Sequence, residues 1–438
     1  MARRQPETAC IDSVSHDGKG IAAIGGKKVF VPGGLRGETV RILRRKQRKS
    51  FDEAELLDVL EPSPARIAPR CRAFGVCGGC ALQHLPAEEQ RNIKFRALQE
   101  NLARIGGIAP ERWLPALYDS ASEWGYRRRA RLAVRDVAAK GRVLVGFREQ
   151  HAPYIADMLR CEVLAPPLDG LIEPLSSLVG DLTIRRRTPQ IEVALGDNAA
   201  ELVFRVLDPP TPEDEAKLVR FAREHGLRIA LQPGGLDTIR RLYPAEAEPL
   251  FYALPGYDLE MEFEATDFVQ VNGSVNRLMI DRALDLLDLK ASNRVLDLYC
   301  GIGNFSLPLA RRAAGVLGIE GEARMVARAA ANAARNGIDN AEFRVADLSN
   351  VDGRESWLNK AWDRVLLDPA RSGAAEVIRY LGRTGAPRIV YVSCHPATLA
   401  RDAAALVREQ GYRLEAAGIV DMFPHTGHVE AIACFAKI

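Results

Sequence analysis

The pattern of hydrophobic and polar positions changes character three times along the chain. Residues 9–60 carry short alternating runs broken by glycine: ACIDSVS, GIAAIGG, KKVFVPG, ETVRILR and EAELLDVL. Five short strands packed this closely predict a small β-barrel. The proline-rich EPSPARIAP (61–69) reads as a linker. PAEEQRNIKFRALQENLARIGG (86–107) predicts a helix, with Pro86 at its start, acids in its first turn and Gly106-Gly107 at its end. From Trp124 to about residue 265 strands predominate. In YRRRARLAVRD, Ala130, Leu132 and Val134 share a core face, while Arg127, Arg129, Arg131 and Arg135 share the opposite one. A turn near Lys140-Gly141 returns the chain into RVLVGFRE.

From about Ser274 strand and helix patterns alternate. RVLDLY, GVLGIE, EFRVAD, RVLLD and RIVYVSC are separated by alanine-rich helical runs, which predicts a doubly wound α/β domain. RLEAAGIVDMF and HVEAIACFAKI, joined through PHTG, predict a closing antiparallel hairpin. The expected division is a barrel at 1–62, a central mainly β domain at 63–265 and an α/β domain at 266–438. A helical stretch at about 93–123 is placed so that it can pack on the last of these.

Composition adds limits. The 438 residues are 47% hydrophobic and 27% charged, ordinary for a soluble protein of two or three domains. No apolar run of about 18 residues predicts a membrane span. MARRQPETAC lacks a secretory apolar stretch, so a cytoplasmic location is expected. Net charge is +3, but residues 1–70 carry 14 Lys/Arg against 9 Asp/Glu, and RILRRKQRKS (41–50) contains no acid. Such clustering points to a polyanion partner; a solvated basic loop is the plainer alternative.

Candidate chemistry gathers at strand ends. VLDLYCGIGNFSLPLA (295–310) reads strand, glycine turn, helix, with Gly301 and Gly303 allowing close backbone approach. Glu320 ends the next strand, about 20 residues on, where an acid can bind ribose hydroxyls. Ser306 stands where a dinucleotide fingerprint has its third glycine. Asp347 and Asp368 end two further strands. An acidic rim suits a nucleoside with an ammonium-bearing tail better than a pyrophosphate. S-adenosylmethionine is therefore favoured over a nicotinamide dinucleotide.

Cys394 ends RIVYVSC on the same rim, just before a helix that Pro396 can open. The helix N-terminus is expected to lower its thiol pKa. The plainer alternative is a buried small hydrophobe. A thiolate beside a methyl donor suits C5 of uracil, which is too weak a nucleophile unaided. Addition at C6 gives C5 carbanion character. A base must then remove the C5 proton, and Glu430 in FPHTGHVEAIACF is the candidate. Of eight cysteines, Cys71, Cys77 and Cys80 follow C-x5-C-x2-C, and Cys161 lies 81 residues after Cys80. Four thiolates suit zinc or an iron–sulphur centre.

FVQVNGSVN (268–276), LDLYCGIGNF, LLDPARSG (366–373), SCHPATLARD and FPHTGHVE resemble, in order and spacing, the RNA uracil-C5 methyltransferases. Within that family the chain is most similar to the bacterial 23S ribosomal RNA branch that carries an iron–sulphur cluster. The resemblance implies a class I, Rossmann-like methyltransferase domain and an OB-like TRAM barrel at the N-terminus. It implies Cys394 as nucleophile and Glu430 as base. Gln270, Tyr299, Asn304, Glu320, Asp347 and Asp368 would line the S-adenosylmethionine pocket, and Phe268 would help hold the target base. It further implies a [4Fe-4S] cluster on Cys71, Cys77, Cys80 and Cys161. The arginine face (Arg127, Arg129, Arg131) is assigned to 23S ribosomal RNA, with no membrane and no obligate protein partner. His395, Ala370 and Tyr299 stand where Asn, Pro and Phe are expected. Rivals are the same chemistry on another ribosomal uridine or on transfer RNA, a noncatalytic RNA-binding protein, and a nicotinamide oxidoreductase.

Overall fold

The computed structural model describes residues 5–15, 17–150 and 152–438; the first four residues of MARRQPETAC lie outside them. Six strands, Glu7–Cys10, Ser13–Val14, Lys19–Ile24, Lys27–Pro32, Thr39–Gln47 and Phe51–Glu61, form one N-terminal sheet. ACIDSVS, expected as one strand, is broken between its two halves. Ala9, Ala22, Val29, Val31, Val40 and Ile42 alternate inward and make a small core of their own.

The basic segment 41–50 is partly compensated by strand Phe51–Glu61, which runs antiparallel to it. Arg41 meets Asp58, Arg45 meets Glu55, Lys46 meets Glu53, and Arg44 bridges Glu7 and Asp52. Arg48 and Lys49 stay exposed at the end of the segment. Part of the charge of a window without acids is thus offset by its neighbour across the ladder.

The central sheet contains Arg129–Val137, Arg142–Gly146, Gln190–Leu195, Ala200–Arg205, Leu227–Gln232 and Arg240–Tyr243. Ala130, Leu132 and Val134 are buried, as the alternation predicted. Two helices, Ile172–Gly180 and Pro212–His225, which the mainly β expectation did not single out, also pack on this core. The second carries a capping box from Thr211 and Asp214 and ends at left-handed Gly226.

The C-terminal sheet has eight strands, in the spatial order 341–345, 315–320, 294–298, 364–367, 388–393, 430–437, 412–420, 112–113. The first five are parallel, as the alternating pattern predicted. The terminal strand Glu430–Lys437 inserts antiparallel between Arg388–Ser393 and Tyr412–Val420. The last edge is Arg112–Trp113, from outside the α/β segment. The helix predicted over 86–107 is Ala87–Asn101, its last turn widening over Leu102–Gly106 before left-handed Gly107, and the helical stretch expected at about 93–123 does not continue beyond it. Leu98 and Leu102 are buried in the α/β core, so this stretch packs with the C-terminal layer, as expected.

Lys94, on that helix, is 1% exposed and donates to Asp421 Oδ1 (2.7 Å) and to the Phe423 carbonyl (2.8 Å). Burial lowers its pKa, and Asp421 opposes that effect. Lys94→Ala leaves a buried carboxylate with Arg91 at 4.0 Å as its remaining cation. The expected cost, by urea unfolding, is toward the lower end of about 3–5 kcal/mol. Lys94→Met combined with Asp421→Leu should recover most of it; a loss as large in the double variant would contradict this account.

Candidate functional site

Three strand ends bring Cys394, Glu430 and Asp368 to one corner. Strand Arg388–Ser393 stops just before Cys394, and the helix Pro396–Glu409 follows. His395 caps that helix, its Nδ1 accepting from the Thr398 N–H at 3.4 Å. A ring nitrogen here performs the capping that an asparagine oxygen would. Ser393 lies opposite Ala431 in the antiparallel ladder, so Glu430 comes up beside Cys394. On the other flank, strand Arg364–Leu367 ends just before Asp368.

Burial dominates the electrostatics of this corner. Glu430 is 4% exposed, and desolvation holds its carboxyl far above the usual range, with Asp368 adding and Arg371 opposing. Burial likewise pushes Asp368 up to about 7. The Cys394 thiol is pushed up to about 11 by burial, then by Glu430 and Asp368, against the pull of Arg371. The expected lowering by the helix N-terminus is therefore overturned. Cys394 stands outside the cap, half-buried beside two acidic side chains. Arg371 Nη2 also contacts His428 Nδ1 at 3.0 Å, and burial drives that imidazole down to about 4.

The nucleotide side of the rim is shaped by backbone. Tyr299, Gly301 and Gly303 all have positive φ (64°, 54° and 92°). A Cβ at Gly301 would meet nothing within 4 Å, so the turn faces open space. A bulky residue at φ 64° is strained, and such strain concentrates where ligands bind. Glu320 accepts from the N–H groups of Gly301 (3.1 Å), Gly321 (2.7 Å) and Glu322 (3.2 Å). Asp347 is exposed at its strand end, and the Ser349 hydroxyl holds its carboxyl low. Gln270 is half-buried on the loop that carries Phe268, whose ring is 65% exposed. Asn304 is turned inward: it exchanges hydrogen bonds with Asn276 (2.9 and 3.0 Å) and accepts from Tyr252 (2.9 Å). It ties the glycine turn to the helix Gly273–Leu287.

Sequence reasoning passed over Asp297. It is 1% exposed, accepts from the Ser306 hydroxyl and has no partner for Oδ1 among the described residues. Burial pushes it up to about 7. Ser306 thus serves a buried acid where a third glycine would serve packing. The signal was a single acid interrupting the apolar run VLDL.

Arg129 and Arg131 share a single carboxylate, and Arg131 stays 66% exposed. Both pair with Glu192 (3.3 and 2.9 Å), and Arg129 also donates to the Thr266 carbonyl at 2.8 Å. Glu192 stands opposite Arg131 on the neighbouring strand, beyond the reach of period counting. Arg127 is half-buried, its Nε on the Arg129 carbonyl at 2.9 Å.

Cys77 and Cys161 are buried, Cys71 and Cys80 half-buried, all against the central core. Burial raises Cys77 to about 11 and Cys80 to about 12, and each also feels the sulphurs of Cys161 and Cys71. Backbone N–H groups point at sulphur: Gly79 at Cys77 (3.4 Å), and Val163 and Leu164 at Cys161. The four thiols are thus neighbours. Among the described residues no group of three or more His, Cys, Asp or Glu is arranged to hold a metal ion.

A cleft of about 1220 Å³ runs past Cys394, with Lys19 and Phe30 of the barrel, Phe74 and Cys80 of the cysteine loop, and Arg371 and His428 among its walls. With a pKa near 11, Cys394 is thiolate at pH 7 to the extent of about one part in 10⁴. Iodoacetamide labelling of the Cys394 peptide, followed by mass spectrometry, should be slow at pH 7 and rise about tenfold per pH unit to pH 10. A plateau below pH 8 would contradict this assignment.

The tRNA (Uracil-5-)-methyltransferase family model matches residues 252–438, and a tRNA (uracil(54)-C(5))-methyltransferase TRAM-domain model matches 8–65. The chain is 50% identical to the 23S rRNA (uracil(1939)-C(5))-methyltransferase RlmD of Alkalilimnicola ehrlichii, across 99% of this chain and 97% of that one. It is also 50% identical to the RlmD of Nitrosococcus oceani, with the same coverage. The fold is similar to a Pyrococcus abyssi tRNA (uracil-54, C5)-methyltransferase crystallised with S-adenosyl-L-homocysteine, at TM-score 0.75 and 24% identity, over 98% of this chain and all of that one. Half of all positions shared along nearly the whole length, together with a thiol and a carboxyl meeting at the end of a class I sheet, lead to one conclusion: the chain belongs to the 23S rRNA (uracil-C5)-methyltransferase family.

Proposed function

We propose that this protein transfers a methyl group from S-adenosylmethionine to C5 of a uridine in 23S ribosomal RNA, at the site equivalent to the 1939 of its relatives. The observation that carries the reading is the placement of Glu430 beside Cys394 by the inserted terminal strand. Ribosomal RNA as substrate puts the reaction in the cytoplasm, and no protein partner is required by it. Among the described residues no helix is long and apolar enough to cross a membrane.

The open turn at Gly301, the unpartnered Asp297 Oδ1 and the acids above it fit a cationic nucleoside. Tyr299, Glu320, Asp347, Asp368 and Gln270 would hold it, while Asn304 braces the turn from behind. When bound, S-adenosylmethionine supplies an electrophilic methyl group and a positive charge near a thiol that needs one. Arg371 adds a fixed cation toward Cys394. The Cys394 thiol gives up its proton to solvent, and the thiolate attacks C6 of the uracil; the C5–C6 π pair becomes the C4–C5 double bond and the C4=O π pair moves onto the oxygen. C5 then takes the methyl group, whose bond to the donor sulphur breaks with its electron pair left on that sulphur. Glu430, as carboxylate, removes the C5 proton; the double bond re-forms and the thiolate leaves. Its raised pKa makes it a stronger base than a solvated carboxylate. Reaching C5 requires the base to leave its stack, and exposed Phe268 offers it an aromatic face.

Cys71, Cys77, Cys80 and Cys161, although not arranged around a single ion, would supply four thiolates, with N–H donors aimed at sulphur, to a [4Fe-4S] cluster. Bound there, the cluster would tie the loop 71–80 to the segment around Cys161. Anaerobically purified protein should contain about four irons per chain, and Cys80→Ser should lose them. Stoichiometric zinc in place of iron would refute the assignment.

With tritiated S-adenosylmethionine and unmodified 23S rRNA, Cys394→Ala should lower methyl transfer at least about a thousandfold. Glu430→Gln should leave a methylated, covalent protein–RNA species on a denaturing gel. Full activity in Cys394→Ala would end the thiolate mechanism.

A further inference from the structure

The segment between Asp421 and Glu430 is clamped from several directions, and His425 is where the clamps meet. Its φ is 67°, unusual for a residue with a side chain, and it is 3% exposed. Its carbonyl accepts from the N–H groups of Ala81 (2.8 Å) and Leu82 (3.0 Å), directly after Cys80. Its own N–H donates to Gln90 Oε1 at 2.8 Å, and Gln90 Nε2 sits 3.1 Å from His425 Nδ1. The ring stacks on Trp124 at 3.6 Å. One residue earlier, the Pro424 carbonyl accepts from the Tyr126 hydroxyl at 2.9 Å. Two residues later, a Cβ on Gly427 would stand 2.6 Å from Asp17 Cα, so the barrel backbone presses here as well. Thr426 closes the segment on itself, bonding the Phe423 carbonyl (3.0 Å) and the His428 N–H (3.2 Å).

Cys394 does not hang from this segment. It is framed by its own strand and by the cap at His395. Glu430 does, because it is the first residue of the strand that the segment feeds. We propose that His425 is a positioning residue for the proton-removal step, fixing Glu430 against a frame made by Gln90 and the backbone that follows the cysteine loop. This rests on the reading of Glu430 as the base. Loss of the frame leaves thiol addition and methyl transfer intact and slows release of the methylated RNA.

Two substrates separate these steps: a 23S rRNA fragment with uridine at the target, and the same fragment with 5-fluorouridine. Fluorine cannot leave C5 as a cation, so the second substrate traps the adduct whatever the base does. Wild type, His425→Ala, His425→Asn and Gln90→Leu are compared as iron-loaded full-length protein. Expected is adduct formation on the fluorinated RNA within about twofold of wild type in every variant. On uridine RNA, His425→Ala and Gln90→Leu should turn over at least tenfold more slowly and accumulate methylated covalent species. His425→Asn should restore most turnover, because Asn tolerates left-handed backbone and keeps an acceptor toward Gln90. Equal slowing on both RNAs, or no slowing on either, overturns the inference while leaving the thiolate mechanism standing. Absence of trapped adduct in wild type overturns the mechanism and the inference with it.

Discussion

A single backbone ladder organises the catalytic half of this protein. The antiparallel pairing of Glu430–Lys437 with Arg388–Ser393 puts the first residue of one strand beside the residue that follows the other. Parallel strands would have sent their ends to the same rim with a helical crossover between them. Here a chain arriving in the opposite sense delivers a carboxyl to a thiol directly. The loop that makes the reversal must cross the rim, and it is there that the barrel, the cysteine loop and the helix Ala87–Asn101 all take hold of it.

The same crowding explains the resting charge state. Cys394, Glu430, Asp368 and His428 are all shifted toward their neutral forms, and burial is the leading cause in each. A cleft that must admit a polyanion gains from acids that rest neutral. The cost falls on stability. A carboxyl whose folded pKa is raised does not weaken the fold below the ordinary carboxylate range. It weakens it fully once the pH exceeds the folded value, about 7 for Asp368. Arg371, which opposes the shift in both Cys394 and Glu430, is the local counterweight.

Charge elsewhere is spent on construction. Glu192 pairs with both Arg129 and Arg131, and the acids of Phe51–Glu61 pair with Arg41, Arg44, Arg45 and Lys46 beside them. Affinity for RNA therefore cannot be counted from arginines in a row. It depends on which of them the fold leaves facing the cleft, and on apolar surface such as Phe268.

The chain's own order of residues determined most element types, the α/β alternation, the glycine turn, the candidate thiol and acid, and the cysteine spacing, since these are local patterns. Ala130, Leu132 and Val134 went inward because a two-residue period leaves no other choice once one face is buried. Two helices of the central domain were missed although the cap at Thr211 was legible. Tertiary structure alone decided which strand lies beside which, and so that Glu430 meets Cys394, that Arg131 meets Glu192, and that Asn304 turns inward. It also reversed the expected shift of the Cys394 thiol. A helix end acts over one turn and can be read from spacing, whereas desolvation is the sum of every neighbour, most of them distant in sequence.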